Sequence, residues 1–222
     1  MTQDAESVAP YYDHAGITIY HGDCRGILAW QAADVLVTDP PYGVALESGW
    51  AGLHGTCAIR GDDDTSARDA VLDAWGAKPA IVFGVWRRPR PDATKAVLVW
   101  DKGGHAGMGD LSFPWKPNWE EVYVLGSGFS GPRTSGVLKF YIHPTFNATR
   151  HHPTEKPISL LYELLGKCPP GVIADPFMGS GTTLVAAKSL GRRAIGVEVE
   201  ERFCEIAAKR LSQEVLDFGE TA

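Results

Sequence analysis

Val172-Ile173-Ala174-Asp175-Pro176-Phe177-Met178-Gly179-Ser180-Gly181-Thr182-Thr183 is the stretch whose reading decides the fold. Three apolar residues run into an Asp-Pro turn, a Gly-x-Gly loop and a helix that opens on two threonines. Glycines let the backbone approach a ligand closely, and the unpartnered first amides of a helix aim at an acceptor. The third glycine of a dinucleotide fingerprint is missing, so this loop alone is a weak signal. Downstream, Ala194-Ile195-Gly196-Val197-Glu198 is a second apolar run ending in an acid. Such an acid can accept from both hydroxyls of a ribose. Loop and acid together point to an adenosine-type cofactor rather than to a phosphate alone.

Working outward, apolar β-prone runs at 17–20, 35–38, 81–86, 96–100, 121–125, 172–174 and 194–197 read as strands. Several are continuously apolar, as in strands covered on both faces. A helix is expected over 182–190. A second carries Ile158, Leu161, Tyr162 and Leu165 on one face, and a third carries Phe203, Ile206, Ala207 and Leu211. Strands interleaved with helices predict a doubly wound, mostly parallel α/β sheet. The length of 222 residues fits a single domain, 1–222. Two stretches break the alternation. Residues 47–65, glycine-rich and ending in Asp62-Asp63-Asp64, read as a surface loop. Residues 102–150, rich in Gly, Pro, Trp and Phe, read as an insertion within the domain that carries function.

The run Val35-Leu36-Val37-Thr38-Asp39-Pro40-Pro41-Tyr42-Gly43 puts a carboxylate, two prolines and an aromatic at the carboxyl end of a strand, the edge where open α/β sheets bind ligands. The prolines fix φ and remove two amide donors, so the loop is stiff and presents carbonyls. A carboxylate beside a carbonyl makes a pair of acceptors suited to a planar NH₂ group, and the tyrosine offers a face for stacking. From the residues alone, a strand-terminating turn with a packed tyrosine accounts for the run equally well.

Composition limits the remaining classes. No apolar run approaches the roughly 20 residues that span a bilayer. Residues 1–13 carry acids and lack the basic and apolar blocks of a signal peptide, so a cytoplasmic protein is expected. Cys24, Cys57, Cys168 and Cys204 show neither CxxC spacing nor nearby histidines, so no metal site is expected. The net charge of −6 runs against the basic surface expected of a duplex binder. Seven acids against three bases from Glu198 onward supply much of it. Basic residues gather at Arg87-Arg88-Pro89-Arg90 and Arg192-Arg193, with Lys139 and Arg150 more isolated.

Three motifs in one order carry a resemblance. Asp39-Pro40-Pro41-Tyr42, then His152-Pro153-Thr154-Glu155-Lys156-Pro157, then the Asp175 to Thr183 run are similar to those of the DNA amino-methyltransferases, which make N6-methyladenine or N4-methylcytosine. The similarity extends from about residue 22 to residue 211. Because the Asp-Pro-Pro-Tyr loop comes first, the chain resembles the permuted β group. This resemblance implies a seven-stranded, circularly permuted Rossmann-like sheet and S-adenosylmethionine as cofactor. The expected partner is double-stranded DNA, with the target base flipped out of the stack.

The resemblance assigns Asp39, Pro40, Pro41 and Tyr42 to catalysis. It assigns the cofactor to Gly22-Asp23-Cys24, with Asp23 accepting from its adenine amine. Asp39, Asp175, Phe177, Gly179, Ser180, Gly181, Thr182 and Thr183 would surround its methionine end, with Thr154 and Lys156 near the carboxylate and Glu198 on the ribose. Asp23 could instead cap a turn, and Asp175 is read as a structural hydrogen-bonding residue. Trp100-Asp101-Lys102 and Glu120-Glu121-Val122-Tyr123 resemble segments lining the target-base pocket. Trp86, Trp100, Trp115 and Trp119 could equally be core. Asp-Pro-Pro-Tyr favours adenine N6; the alternative is cytosine N4, where Ser more often opens the loop. A glutamine or RNA-amine methyltransferase would place Asn-Pro-Pro-Tyr after the cofactor loop, and a catalytically silent binding module is the reading from another class. A recognition segment this short implies either a short target or a homodimer. With no endonuclease motif evident, a solitary methyltransferase is expected.

Overall fold

The structure is a computed structural model that describes residues 8–43, 64–104, 111–142 and 155–213. Among the described residues nine strands form one sheet: β1 (Tyr12–His14), β2 (Ile17–His21), β3 (Val35–Thr38), β4 (Ala80–Gly84), β5 (Thr94–Asp101), β6 (Trp119–Leu125), β7 (Val137–Lys139), β8 (Ile173–Asp175) and β9 (Ala194–Glu198). Their order is β1-β2-β9-β8-β3-β4-β6-β5-β7. The five strands from β2 to β4 are mutually parallel, whereas β6 runs antiparallel to both β4 and β5. The implied count of seven is therefore corrected to nine. The two additions are the three-residue edge strands β1 and β7, too short for alternation to reveal.

Helices α1 (Ser66–Trp75), α2 (Ile158–Leu165), α3 (Thr182–Ser189) and α4 (Glu201–Ser212) cover the two faces. Side chains alternate across a strand, and β3 uses both directions. Val35 and Val37 pack with Leu160, Leu161, Leu164 and Leu184 of α2 and α3. Leu36 packs with Val71 and Trp75 of α1 and with Trp30 in a 3₁₀ turn at Ala29–Ala32. The rings of Trp30 and Trp75 stack with centroids 5.9 Å apart. All of β3 and β4 is buried, which explains their uninterrupted apolar sequences.

Helix α1 is not anticipated by the sequence pattern. Its buried side is only Arg68, Val71 and Trp75, a stripe too thin to register as a 3.6-residue repeat. Most of the expected 47–65 loop lies outside the described residues, as does 143–150 of the expected 102–150 insertion. Within that insertion, β6 and β7 are integral strands of the sheet.

Candidate active site

The two sequence motifs meet because β3 and β8 are parallel neighbours, pairing Val35 with Ile173 and Leu36 with Ala174. Both strands deliver their loops to the same carboxyl edge. The Thr38 hydroxyl donates to Asp175 Oδ1 at 2.7 Å and ties one loop's base to the other. Asp175 also accepts from the Phe177 amide at 3.2 Å and from the Thr183 side chain. Burial nevertheless pushes its carboxyl up to about 7, against the pull of those donors. These contacts tie β8 to β3 and to the start of its own loop.

After β8 the chain turns tightly into α3. Gly181 caps the helix at φ +80°, and a Cβ there would lie 2.7 Å from Cβ of Ala207 on α4. Only glycine meets both demands without strain. Ser180, Thr182 and Thr183 are buried at the head of α3. Arg210 of α4 reaches the Ser180 carbonyl at 2.8 Å, its hydroxyl at 3.0 Å and Glu155 at 3.0 Å, bracing the loop from behind. Sequence reasoning missed Arg210 and Glu155. The available signal was position: Arg210 follows Phe203 by seven residues, on the helix side that is otherwise apolar.

Glu198 closes this half of the site at the end of β9. Its Oε2 accepts from the Gly179 amide at 2.9 Å and its Oε1 from the Glu200 amide at 2.8 Å. Burial raises its carboxyl above the usual range despite these donors. The Gly22 amide donates to the Glu198 carbonyl at 2.8 Å, which sets the 22–24 segment beside the acid. Asp23 itself is exposed and ion-paired with Arg25, and its carbonyl accepts from the Gly26 and Ile27 amides. In this structure it has the turn-capping geometry. Cys24 is buried, with its carbonyl accepting from the Trp30 indole.

The other half is a partly buried polar cluster around Asp39, with Lys156 as its buried member. Its Oδ1 accepts from the Tyr42 hydroxyl at 2.6 Å, and its Oδ2 lies 2.8 Å from Lys156 Nζ. Lys156 also lies 3.0 Å from Glu120 Oε2, and Lys102 pairs with Glu120 Oε1. The Lys156 ammonium sits 5.0, 5.5 and 5.6 Å from the ring centroids of Phe83, Tyr42 and Trp100, so aromatic faces as well as carboxylates hold it in place. Burial raises the Asp39 carboxyl, with Lys156 opposing. Burial would also raise Glu120, but Lys156 and Lys102 hold it down at about 2. Lys156, expected at the cofactor's carboxylate, is thus engaged by two carboxylates beside Tyr42. Thr154, the other residue of that assignment, lies outside the described residues, as do His151 and His152.

The tryptophans divide. Trp100 is core, whereas Trp86 and Trp115 are 57% and 72% exposed. The register of β6 against β4 and β5 brings Trp86 and Trp119 to the same sheet edge as Asp39. The basic runs divide as well. Arg87 is exposed beside Trp86, but Arg90 pairs with the buried Glu121. Arg192 donates to the Leu165, Pro169 and Gly171 carbonyls.

A family model described as DNA methylase, of the N6/N4 methyltransferase type, matches residues 62–209. The chain belongs to this DNA methylase family. The methylase is 30% identical over 207 residues to YubD of Escherichia coli, whose name describes a methylase, covering 86% of this chain and 88% of that one. It is 28% identical over 262 residues to the type II methyltransferase M.ScaI of Streptomyces caespitosus, covering 92% and 84%. Among solved structures, the M1.HpyAVI–SAM complex superposes with a TM-score of 0.63 at 21% identity, covering 89% of the methylase and 100% of that chain. PvuII DNA methyltransferase, described as cytosine-N4-specific, superposes with a TM-score of 0.66 at 13% identity, covering 93% and 90%. These likenesses establish the methyltransferase fold. Among the described residues no group of His, Cys, Asp and Glu could hold a metal ion, and no helix is long and apolar enough to cross a membrane.

Proposed function

We propose that this methylase transfers a methyl group from S-adenosylmethionine to the N6 amine of adenine in double-stranded DNA. The observation that carries the reading is the partly buried Asp39 carboxylate, paired with Lys156 and bonded by Tyr42 at the sheet edge shared with the Asp175 to Thr183 loop. The residues present fit the cofactor. A positive-φ glycine cradle, the free first amides of α3 and the Glu198 carboxylate suit a ligand with a ribose and a polar tail. Phe177, Gly179, Ser180, Gly181, Thr182 and Thr183 would hold the tail, and Glu198 the ribose. Asp23 would turn from Arg25 toward the adenine, and Cys24 would line the same segment. S-adenosylmethionine, when bound, supplies a methyl group on a sulfonium sulfur, which leaves as a neutral thioether with the electron pair of the broken bond.

An exocyclic amine is a poor nucleophile because its lone pair is delocalised into the ring. The Asp39 carboxylate and the Pro40 carbonyl accept its two hydrogens and draw the nitrogen toward a pyramidal shape. Positive charge grows on that nitrogen as the new N–C bond forms, so fixed acceptors stabilise the transition state more than the ground state. Asp39 then receives the proton that the methylated nitrogen sheds. Tyr42 offers a stacking face for the flipped base, worth roughly 1–3 kcal/mol, against the few kcal/mol that unstacking costs. Pro40 and Pro41 keep the loop from relaxing away from the base.

Adenine is preferred to cytosine because the loop opens with Asp39 rather than Ser. The catalytic loop preceding the cofactor loop corresponds to the permuted order. The segments flanking β6 and β7 are where target recognition would reside. Mass spectrometry of nucleosides from unmethylated DNA treated with protein and cofactor tests the reading. N6-methyladenine is expected, N4-methylcytosine would move the assignment to the other amine, and neither product would refute it.

A further inference from the structure

Both oxygens of Asp39 are already occupied by donors of the protein itself. Lys156 Nζ lies 2.8 Å from Oδ2, and the Tyr42 hydroxyl lies 2.6 Å from Oδ1. Lys156 Nζ also contacts the Tyr42 hydroxyl, at 3.2 Å. A target amine seeking Asp39 meets a carboxylate whose charge is already shared with two donors, and it competes with them for that charge. Each donor has a second carboxylate oxygen within reach, and it is the same atom for both. Glu120 Oε2 is 3.0 Å from Lys156 Nζ and 3.2 Å from the Tyr42 hydroxyl. The other oxygen, Oε1, is bound by Lys102, which fixes the Glu120 side chain with Oε2 facing the donors.

We propose that Glu120 is a positioning residue for methyl transfer, the alternate acceptor that takes Lys156 and Tyr42 off Asp39 when the target amine arrives. The inference rests on the reading of Asp39 as the acceptor for that amine. Its physical basis is the cost of stranding a buried ammonium. Lys156 is 6% exposed, and a buried charge deprived of its partner is strongly destabilising. With two carboxylates in contact, the ammonium can shift its weight from one to the other and stay compensated throughout. Asp39 faces Tyr42 on its own loop, Lys156 ahead of α2, Glu120 on β6 with Lys102 behind it, and Asp175 on β8. The two ammonium groups balance Asp39 and Glu120, so this exchange leaves the local charge unchanged. Without the Glu120 charge, Asp39 is the one carboxylate among the described residues left in contact with Lys156, and the ammonium stays on the atom the substrate needs.

The test measures methyl transfer from S-adenosylmethionine to unmethylated plasmid DNA at saturating cofactor, together with cofactor affinity. Glu120→Gln is expected to lower the transfer rate by about tenfold or more while leaving cofactor affinity unchanged. The acid limb of the single-turnover rate should also move to lower pH in Glu120→Gln, because Lys156 then bears on Asp39 alone. An unchanged rate in Glu120→Gln, or a lowered rate whose acid limb stays in place as for a merely structural role, would overturn the proposal. If Glu120→Gln does not fold, Lys102→Met carries the test, since it keeps the Glu120 charge and removes only its anchor. A smaller loss with unchanged cofactor affinity is then expected, and an unchanged rate overturns the proposal. Wild-type protein that transfers no methyl group refutes the Asp39 reading itself, whereas an active wild type matched by Glu120→Gln refutes only the role of Glu120.

Discussion

Thr38 and Asp175 lie 137 positions apart in the chain, yet the Thr38 hydroxyl donates to Asp175 Oδ1 at 2.7 Å. This bond joins the ends of β3 and β8 and sets the spacing between the Asp39 loop and the glycine loop. Because β3 and β8 are short, four and three residues, the hydroxyl fixes a relationship that few ladder bonds could. Asp175 holds its place at a cost, being almost fully buried with its carboxyl pushed up to about 7.

That cost has a definite pH signature. The folded protein holds a proton on Asp175 between its ordinary value of 3.8 and about 7, whereas the unfolded chain has released it. Stability contributed by this group is full below the lower value and is lost as pH rises through the upper one. Asp175→Asn keeps an oxygen acceptor and removes the titration. Melting temperatures of the cofactor-free protein measured from pH 5 to 8 should therefore fall less in the variant than in the wild type. Parallel curves would show that Asp175 does not titrate in this window.

Glu198 offers a test of the cofactor half. Its charge is shared between the Gly179 and Glu200 amides, and hydrogen bonds to a charged group contribute about 1.5–3 kcal/mol. Glu198→Gln should weaken S-adenosylmethionine binding by roughly ten- to a hundredfold, read by isothermal titration calorimetry. It should leave the Asp39 cluster, and hence single-turnover transfer at saturating cofactor, much less affected. Unchanged affinity would remove Glu198 from the cofactor site.

A third prediction concerns the acid limb of the rate profile. Asp39 must be ionised to accept both a hydrogen bond and a proton, and burial, opposed by Lys156, raises its carboxyl above the ordinary 3.8. Protonation on the way down in pH removes the acceptor, so transfer should fail at a higher pH than an exposed aspartate would allow. The single-turnover rate against pH, at saturating cofactor, measures this. A limb at or below the ordinary value would mean that the group titrating is not Asp39.

What the sequence disclosed depended on whether a feature was local. The Gly-x-Gly turn at Gly179 and Gly181, the apolar runs of β3 and β4 and the Asp39 to Tyr42 loop are each legible within a few residues, since backbone stiffness and two-sided burial act locally. The neighbouring placement of β3 and β8 was not legible, because pairing between segments so far apart in the chain leaves no local signature. The contacts of Lys156 were not legible. Its partners Asp39 and Glu120 come from distant segments, and an isolated Lys between Glu155 and Pro157 gives no sign that it will be buried between two carboxylates. Arg192 was misleading for a related reason. It counts as surface charge in composition, whereas its guanidinium satisfies the carbonyls of the turns around 165–171. Edge strands β1 and β7 escaped because three residues cannot establish a period.

In the proposed reaction the Asp39 carboxylate activates an exocyclic amine of a DNA base. Nucleoside mass spectrometry of plasmid DNA, after incubation with S-adenosylmethionine and either wild-type protein or Asp39→Ala, tests it most directly. N6-methyladenine is expected with the wild type and none with Asp39→Ala, with both proteins binding the cofactor at similar affinity. Methylation by Asp39→Ala at the wild-type level would contradict it.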